Sequence, residues 1–281
     1  MKPPPFRYLR PDTEEGVLDA LAEYGDEAKL LAGGQSLVPL LNFRLARPSV
    51  LIDLELVDTL RGIERRDATF VVGAMTRQSE AERSEDLRSS CPLVGQALAL
   101  VGHLQIRNRG TVGGSVAHAD PAAELPAVAL ALDAELIVRG STGDRSVPAA
   151  EFFVGPFTTA LGPDELLTHV RFPATIGART MFLELARRSG DFALAGVCAI
   201  DRGERGTADV ALVGIGVGGS PVRLSTAEAA VHGRELTDEV VREAAEAASA
   251  AVDPPSDIHA DGEYRRELLG VLVRRALRGV A

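Results

Sequence analysis

Apolar residues change their spacing several times along this chain, and the changes mark its elements. From Thr13, TEEGVLDALAEYG places them at steps of three and four, the period of an amphipathic helix. Asp12 or Thr13 supplies the N-cap, Glu14 and Glu15 favour the first turn, and Gly25 ends the helix. The unbroken run AKLLAGG then predicts a short buried strand stopping at Gly33–Gly34. SVLIDL, ATFVVGAM, AELIVRG and DELLTHVRFP predict further strands, the last closed by Pro173. Between them, MTRQSEAER, CPLVGQALALVG and AAELPAVALALDAEL predict helices. Beyond about Thr175 the pattern becomes TMFLELARRSGDFALAGVCAID and TADVALVGIGVGGSPVRL, strands joined by hairpin turns. STAEAAVHG follows with a capping box from Ser225 to Glu228, then TDEVVREAAEAASAAV, a helix started by Thr237, and GEYRRELLGVLVRRAL, a terminal helix. The last third therefore predicts an α+β domain.

Composition narrows the function. The 281 residues exceed one typical domain, and 46% hydrophobic with 25% charged residues is ordinary globular usage. A net charge of −10 disfavours nucleic acid or an anionic membrane as partner. No run predicts a transmembrane helix, and the prolines of MKPPPFRYLRPDTEEG stand where a signal peptide needs apolar residues, so a cytoplasmic protein is expected. Two cysteines, Cys91 and Cys198, are too few for an iron–sulfur cluster within this chain, and five scattered histidines offer no metal spacing. A metal site is not expected. No G-x-S-x-G elbow or Walker A sequence occurs.

Two glycine pairs carry the chemistry that remains. In LLAGGQSLVPLL, Gly33 and Gly34 permit positive φ and close approach, so that successive N–H groups from Gly33 to Leu37 can form an anion-binding nest. Taken alone, the same pair is equally a plain turn between strand and helix. IRNRGTVGGSVAHADPAAELP repeats the chemistry at Gly110 to Ser115, and two such loops facing each other can cradle a pyrophosphate. Arg107 and Arg109 alternate, which in an extended segment puts both on one face, beside a ligand or at a solvated edge. Glu124 opens a helix, where a carboxylate either accepts ribose-type hydroxyls or stabilises the helix dipole. Asp120–Pro121 sets a turn, His118 adjoins the second loop, and Asp191 lies at a hairpin tip or in a loop over a cofactor. GIGVGG, Gly214 to Gly219, matches a dinucleotide fingerprint, but Pro221 and the strand-like VRL follow instead of a helix, so no nucleotide role is assigned. The residues alone point to an enzyme subunit with a two-loop site for a phosphate-bearing cofactor and no evident acid–base or nucleophilic group.

AGGQSL, LIDL, IRNRGTVGGSVAHADPAAELP, FTTALGPDELLTHVRFP and ARRSGDFALAGV, in this order, resemble the FAD-binding medium subunits of molybdenum hydroxylases. The carbon monoxide dehydrogenase type is the nearest in pattern, and the xanthine dehydrogenase flavin domain is a relative. The resemblance implies an α+β chain: a two-subdomain FAD-binding fold of the vanillyl-alcohol-oxidase type (residues 1–56 and 57–174) followed by an α+β C-terminal flavoprotein domain (175–281). It implies a first pyrophosphate loop of Ala32, Gly33, Gly34, Gln35, Ser36 and Leu37, and a second of Thr111, Val112, Gly113, Gly114 and Ser115. Glu124 matches the acidic contact to the ribityl or ribose part, Leu167 an apolar contact near the flavin, and Val101 a position beside the cofactor. Leu183 stands where xanthine dehydrogenase relatives carry a lysine, and the cysteine-bearing insertion of hydroxybenzoyl-coenzyme A reductases is absent. The implied function is electron transfer without substrate chemistry on this chain. FAD would take electrons from the [2Fe–2S] clusters of a small subunit, in a complex whose large subunit holds the molybdenum cofactor, as a dimer of heterotrimers. A self-contained flavin oxidase of the vanillyl-alcohol type is the alternative, and a scaffold with degenerate loops a further one.

Overall fold

The computed structural model describes residues 2–281. Three larger sheets organise it, beside a two-stranded ribbon of Phe153–Gly155 and Thr158–Thr159. Arg7–Leu9, Val50–Asp53 and Ala28–Leu31 form a small parallel sheet with Val50–Asp53 in the middle. Helix Glu14–Tyr24 covers it, with the Thr13 hydroxyl accepting from Gly16 N and Gly25 closing the helix at positive φ, as the sequence predicts. Val17, Leu21, Ile52 and Leu54 form its core.

The second sheet is antiparallel, in the order Ile63–Arg66, Thr69–Gly73, Leu166–Pro173, Glu135–Gly140, Gly143–Pro148. A register shift interrupts the central strand between Leu167 and His169. There the Thr168 hydroxyl donates to Ile137 O, and Thr168 O accepts from Ala74 N.

The third sheet, Arg179–Ala186, Ala193–Asp201, Val210–Ile215 and Val222–Arg223, is antiparallel and buried on both faces. Alternation sorts its side chains. Cys198, Ile200, Val213 and Ile215 join a core with the second sheet, whereas Val197, Ala199 and Leu212 meet helices Asp238–Ala250 and Gly262–Val280. Helix Glu124–Ala131 fills the space between the second and third sheets. Every residue from Leu125 to Ala131 is buried, which is why its sequence is apolar all round.

One local expectation fails. Ser225 begins its helix instead of capping it, and Glu228 turns away to accept from Leu212 N and Arg223 Nε. A buried backbone N–H and a guanidinium outcompete the capping box for that carboxylate. Gly214 to Gly219 is a strand end and turn, as read from Pro221. Both thiols are buried, and burial pushes Cys91 up to about 11 and Cys198 up to about 12, so neither is a reactive thiolate. Among the described residues no group of three metal-ligating side chains forms, and no helix is long and apolar enough to cross a membrane.

Candidate functional site

The two glycine stretches meet. A side chain on Gly33 would put its Cβ 2.3 Å from Arg109 O and 2.8 Å from Gly110 Cα, so the first loop presses directly on the backbone leading into the second stretch. A Cβ on Gly114 would stand 3.2 Å from that of Ala32. Beside this junction lies a cleft of about 360 Å³ lined by Leu31 to Gln35, Val38, Pro39, Asp53 and Arg109.

The chemistry of the two sides differs. On the first loop Gly34 has φ +74°, and the N–H groups of Gly33, Gly34, Gln35, Ser36 and Leu37 have no acceptor among the described residues. Gln35 Nε2 braces the loop through Gly33 O. Five adjacent unpaired donors in a concave turn form an anion nest. The second stretch is not a nest. Thr111 caps helix Val112–His118, and the N–H groups of the next four residues are already used. Val112 donates to Thr76 O, Gly113 to Ala74 O, Gly114 to the Thr111 hydroxyl and Ser115 to Thr111 O. Its glycines serve close packing: a Cβ on Gly113 would lie 2.5 Å from Ala74 Cα.

The arginines also separate. The segment before Gly110 is not extended but makes a helical turn, Leu104–Arg107. Arg107 is consequently turned to Glu82 (2.8 Å) and to the carbonyls of Val101 and Gly102. Arg109 alone reaches the cleft, and it forms no ion pair among the described residues. Arg77, bound to Glu55 at 2.6 Å and to Arg109 O, buttresses the junction from below. Only the fold brings Arg77 and Glu55 to this junction, and the sequence did not single them out. An unpaired guanidinium beside five free N–H groups suits a pyrophosphate in a chain of net negative charge.

The remaining expected residues do not line that cleft. Leu167 and Val101 belong to the core below helix Val112–His118. Asp120 makes its turn by accepting from Ala122 N (2.9 Å), and His118 stacks obliquely on Phe157, its ring kept neutral-leaning by burial. Asp191 sits at the tip of the hairpin between the first two strands of the third sheet. Its neighbour Gly190 has φ +84° and packs against the His103 ring. Glu124 starts its helix at the seam with the third sheet. Burial there, reinforced by the charge of Glu184, pushes its carboxyl up to about 8, and burial pushes Glu184 up to about 7. The sequence did not single out Glu184. The marker was a lone acid in an apolar strand. A larger hollow of about 430 Å³ near Arg202, Arg223, Glu228 and His232 is less suited to an anion, because Arg223 is paired with Glu228 and Asp133.

Comparison with known proteins agrees with this architecture. Residues 4–175 match the FAD binding domain in molybdopterin dehydrogenase, and residues 180–280 the CO dehydrogenase flavoprotein C-terminal domain. The chain is 41% identical to the 6-hydroxypseudooxynicotine dehydrogenase complex subunit alpha of Paenarthrobacter nicotinovorans, over 99% of this chain and 95% of that one. It is 36% identical to the carbon monoxide dehydrogenase medium chain of Hydrogenophaga pseudoflava, over 99% and 97%. A solved structure of carbon monoxide dehydrogenase from that organism, lacking the Mo-pyranopterin moiety of its molybdenum cofactor, superposes with a TM-score of 0.98 at 37% identity, covering 100% of this chain and 98% of that one. With both domain types present in order across nearly the whole length, the chain belongs to the FAD-binding medium subunits of the molybdenum hydroxylases.

Proposed function

We propose that this chain holds FAD as the electron exit of a three-subunit molybdenum hydroxylase. It receives electrons from [2Fe–2S] clusters on a small subunit and passes them to an external acceptor. The observation that carries the reading is the nest of five unpaired N–H groups facing Arg109 where the two glycine stretches touch. In this reading Ala32 to Leu37 bind the pyrophosphate, with Arg109 as counter-charge. Thr111 to Ser115 form the wall that lets the cofactor approach, Glu124 accepts a sugar hydroxyl, and Leu167 packs beneath the flavin side. The bound flavin supplies the redox chemistry, and the chain supplies position, charge and exclusion of water. A large subunit with the molybdenum cofactor would set the substrate, the assembly would be a dimer of heterotrimers, and the location cytoplasmic.

The test is anaerobic mixing of the FAD-loaded chain with its genomically neighbouring small subunit, reduced beforehand. Flavin absorbance should bleach as electrons cross. An unchanged flavin spectrum beside clusters that stay reduced would refute the electron path. Replacement of Glu124 by alanine should weaken FAD by about 1–3 kcal/mol if it holds a buried hydroxyl. Equilibrium titration against the unsubstituted chain measures this, and an unchanged dissociation constant would return Glu124 to a helix-dipole role.

A further inference from the structure

The small parallel sheet has two faces of different chemistry. Val50 and Ile52 turn toward helix Glu14–Tyr24 and share a core with its Val17 and Leu21. Leu51 and Asp53 alternate with them and so face the other way, as do the residues in register beside them. Tyr8 pairs with Leu51, and Leu31 pairs with Asp53. Leu31 and Asp53 are the last residues of their strands, and both line the cleft. The carboxyl ends of parallel strands are where open α/β sheets receive their ligands.

A carboxylate in this position does not serve a pyrophosphate, because it repels one. Asp53 is 9% exposed and forms no ion pair among the described residues. Two residues on, Glu55 takes the guanidiniums of Arg77 (2.6 Å) and Arg61 (3.3 Å). Neutral donors hold Asp53 instead. Glu55 N donates to Oδ1 at 2.9 Å, and the Tyr8 hydroxyl donates to Oδ2. An ionised carboxylate offers about four acceptor positions, so each oxygen keeps one beyond these two bonds. A carboxylate so far buried and without a cation gains from further neutral donors, and hydroxyls of a ligand in the cleft can supply them.

We propose that Asp53 accepts the two ribose hydroxyls in the adenosine half of FAD. The inference rests on the reading of the cleft as the pyrophosphate cradle. In that reading Glu124 and Leu167, which do not line the cleft, serve the flavin half, and the face of the small sheet is left to adenosine. The nest and Arg109 then hold the charged bridge, while Asp53 meets the uncharged sugar next to it. Adjacent hydroxyls present two donors to a carboxylate that the Tyr8 hydroxyl and Glu55 N already hold in one orientation.

Flavin-depleted chain titrated in parallel with FAD and with the FAD analogue whose adenosine is 2′,3′-dideoxy reads this contact. The unsubstituted chain should bind FAD at least about tenfold more tightly than the analogue. Asp53→Asn keeps the volume and an oxygen for Glu55 N but removes the charge. Hydrogen bonds to an ionised acceptor are roughly twice as strong as neutral ones, so the preference should fall to about threefold. The ratio of the two affinities cancels any general loosening of the site, which would weaken both ligands alike. Equal affinities in the unsubstituted chain overturn the proposal, and that comparison stands even if Asp53→Asn does not fold. A preference that Asp53→Asn leaves undiminished overturns it as well. Failure of the unsubstituted chain to bind either compound overturns the cradle reading itself, and the proposal with it.

Discussion

A Gly33→Val chain is expected to purify without flavin. Its Cβ would begin 2.3 Å from Arg109 O, an atom of the main chain that cannot swing aside. The first loop would have to withdraw from the helix that starts beyond Thr111, and its five free N–H groups would no longer converge with Arg109. Hydrogen bonds to a charged group contribute about 1.5–3 kcal/mol each, so losing two of them weakens binding about a hundredfold or more. The flavin-to-protein absorbance ratio and a fluorescence titration read the result. Gly155→Ala is the matched control, since a Cβ there meets nothing within 4 Å. If the Gly33→Val chain retains wild-type affinity, the cleft is not the cofactor cradle.

The second large effect concerns the core between the second and third sheets. Phe152 is 0% exposed and meets Phe153 edge to face, with ring centres 5.2 Å apart. It belongs to the core formed by the second sheet, helix Glu124–Ala131 and the third sheet. Truncating such a ring removes its transfer energy and leaves a cavity, at a cost of about 3–5 kcal/mol. Phe152→Ala should lower the melting temperature on the order of 10 °C for a chain of this size. Because this core joins the two parts of the molecule, the loss should appear as a shift of the whole transition. A variant melting within about 2 °C of the parent would show that the cavity closes by local rearrangement.

Particular residues show where sequence reasoning succeeded. Thr13 and Thr237 cap helices because a hydroxyl before an apolar 3.6-residue pattern has few competing partners nearby. Leu125 to Ala131 announced a buried helix, since a segment without a polar face has nowhere else to lie. The glycine pairs were visible because few other residues serve where backbone must approach backbone.

Other residues show why the rest stayed hidden. Ser225 and Glu228 have the spacing of a capping box, yet Glu228 is taken by Leu212 and Arg223. Arg107 and Arg109 read as a matched pair, but one helical turn sends Arg107 to Glu82. The second glycine stretch has the composition of a nest, while Thr76, Ala74 and Thr111 accept its donors.

By itself the sequence determined most of the longer helices and strands, which segments are buried on all sides, and which must pass close to other backbone. These follow from period, side-chain volume and allowed φ, all properties of neighbours along the chain. Only the tertiary structure decided which N–H groups stay free, which arginine faces the cleft, and where Glu228 finds its partners. Each of those outcomes is a competition among donors, acceptors and charges brought together from distant segments, and its result depends on distances that exist only once the sheets have packed.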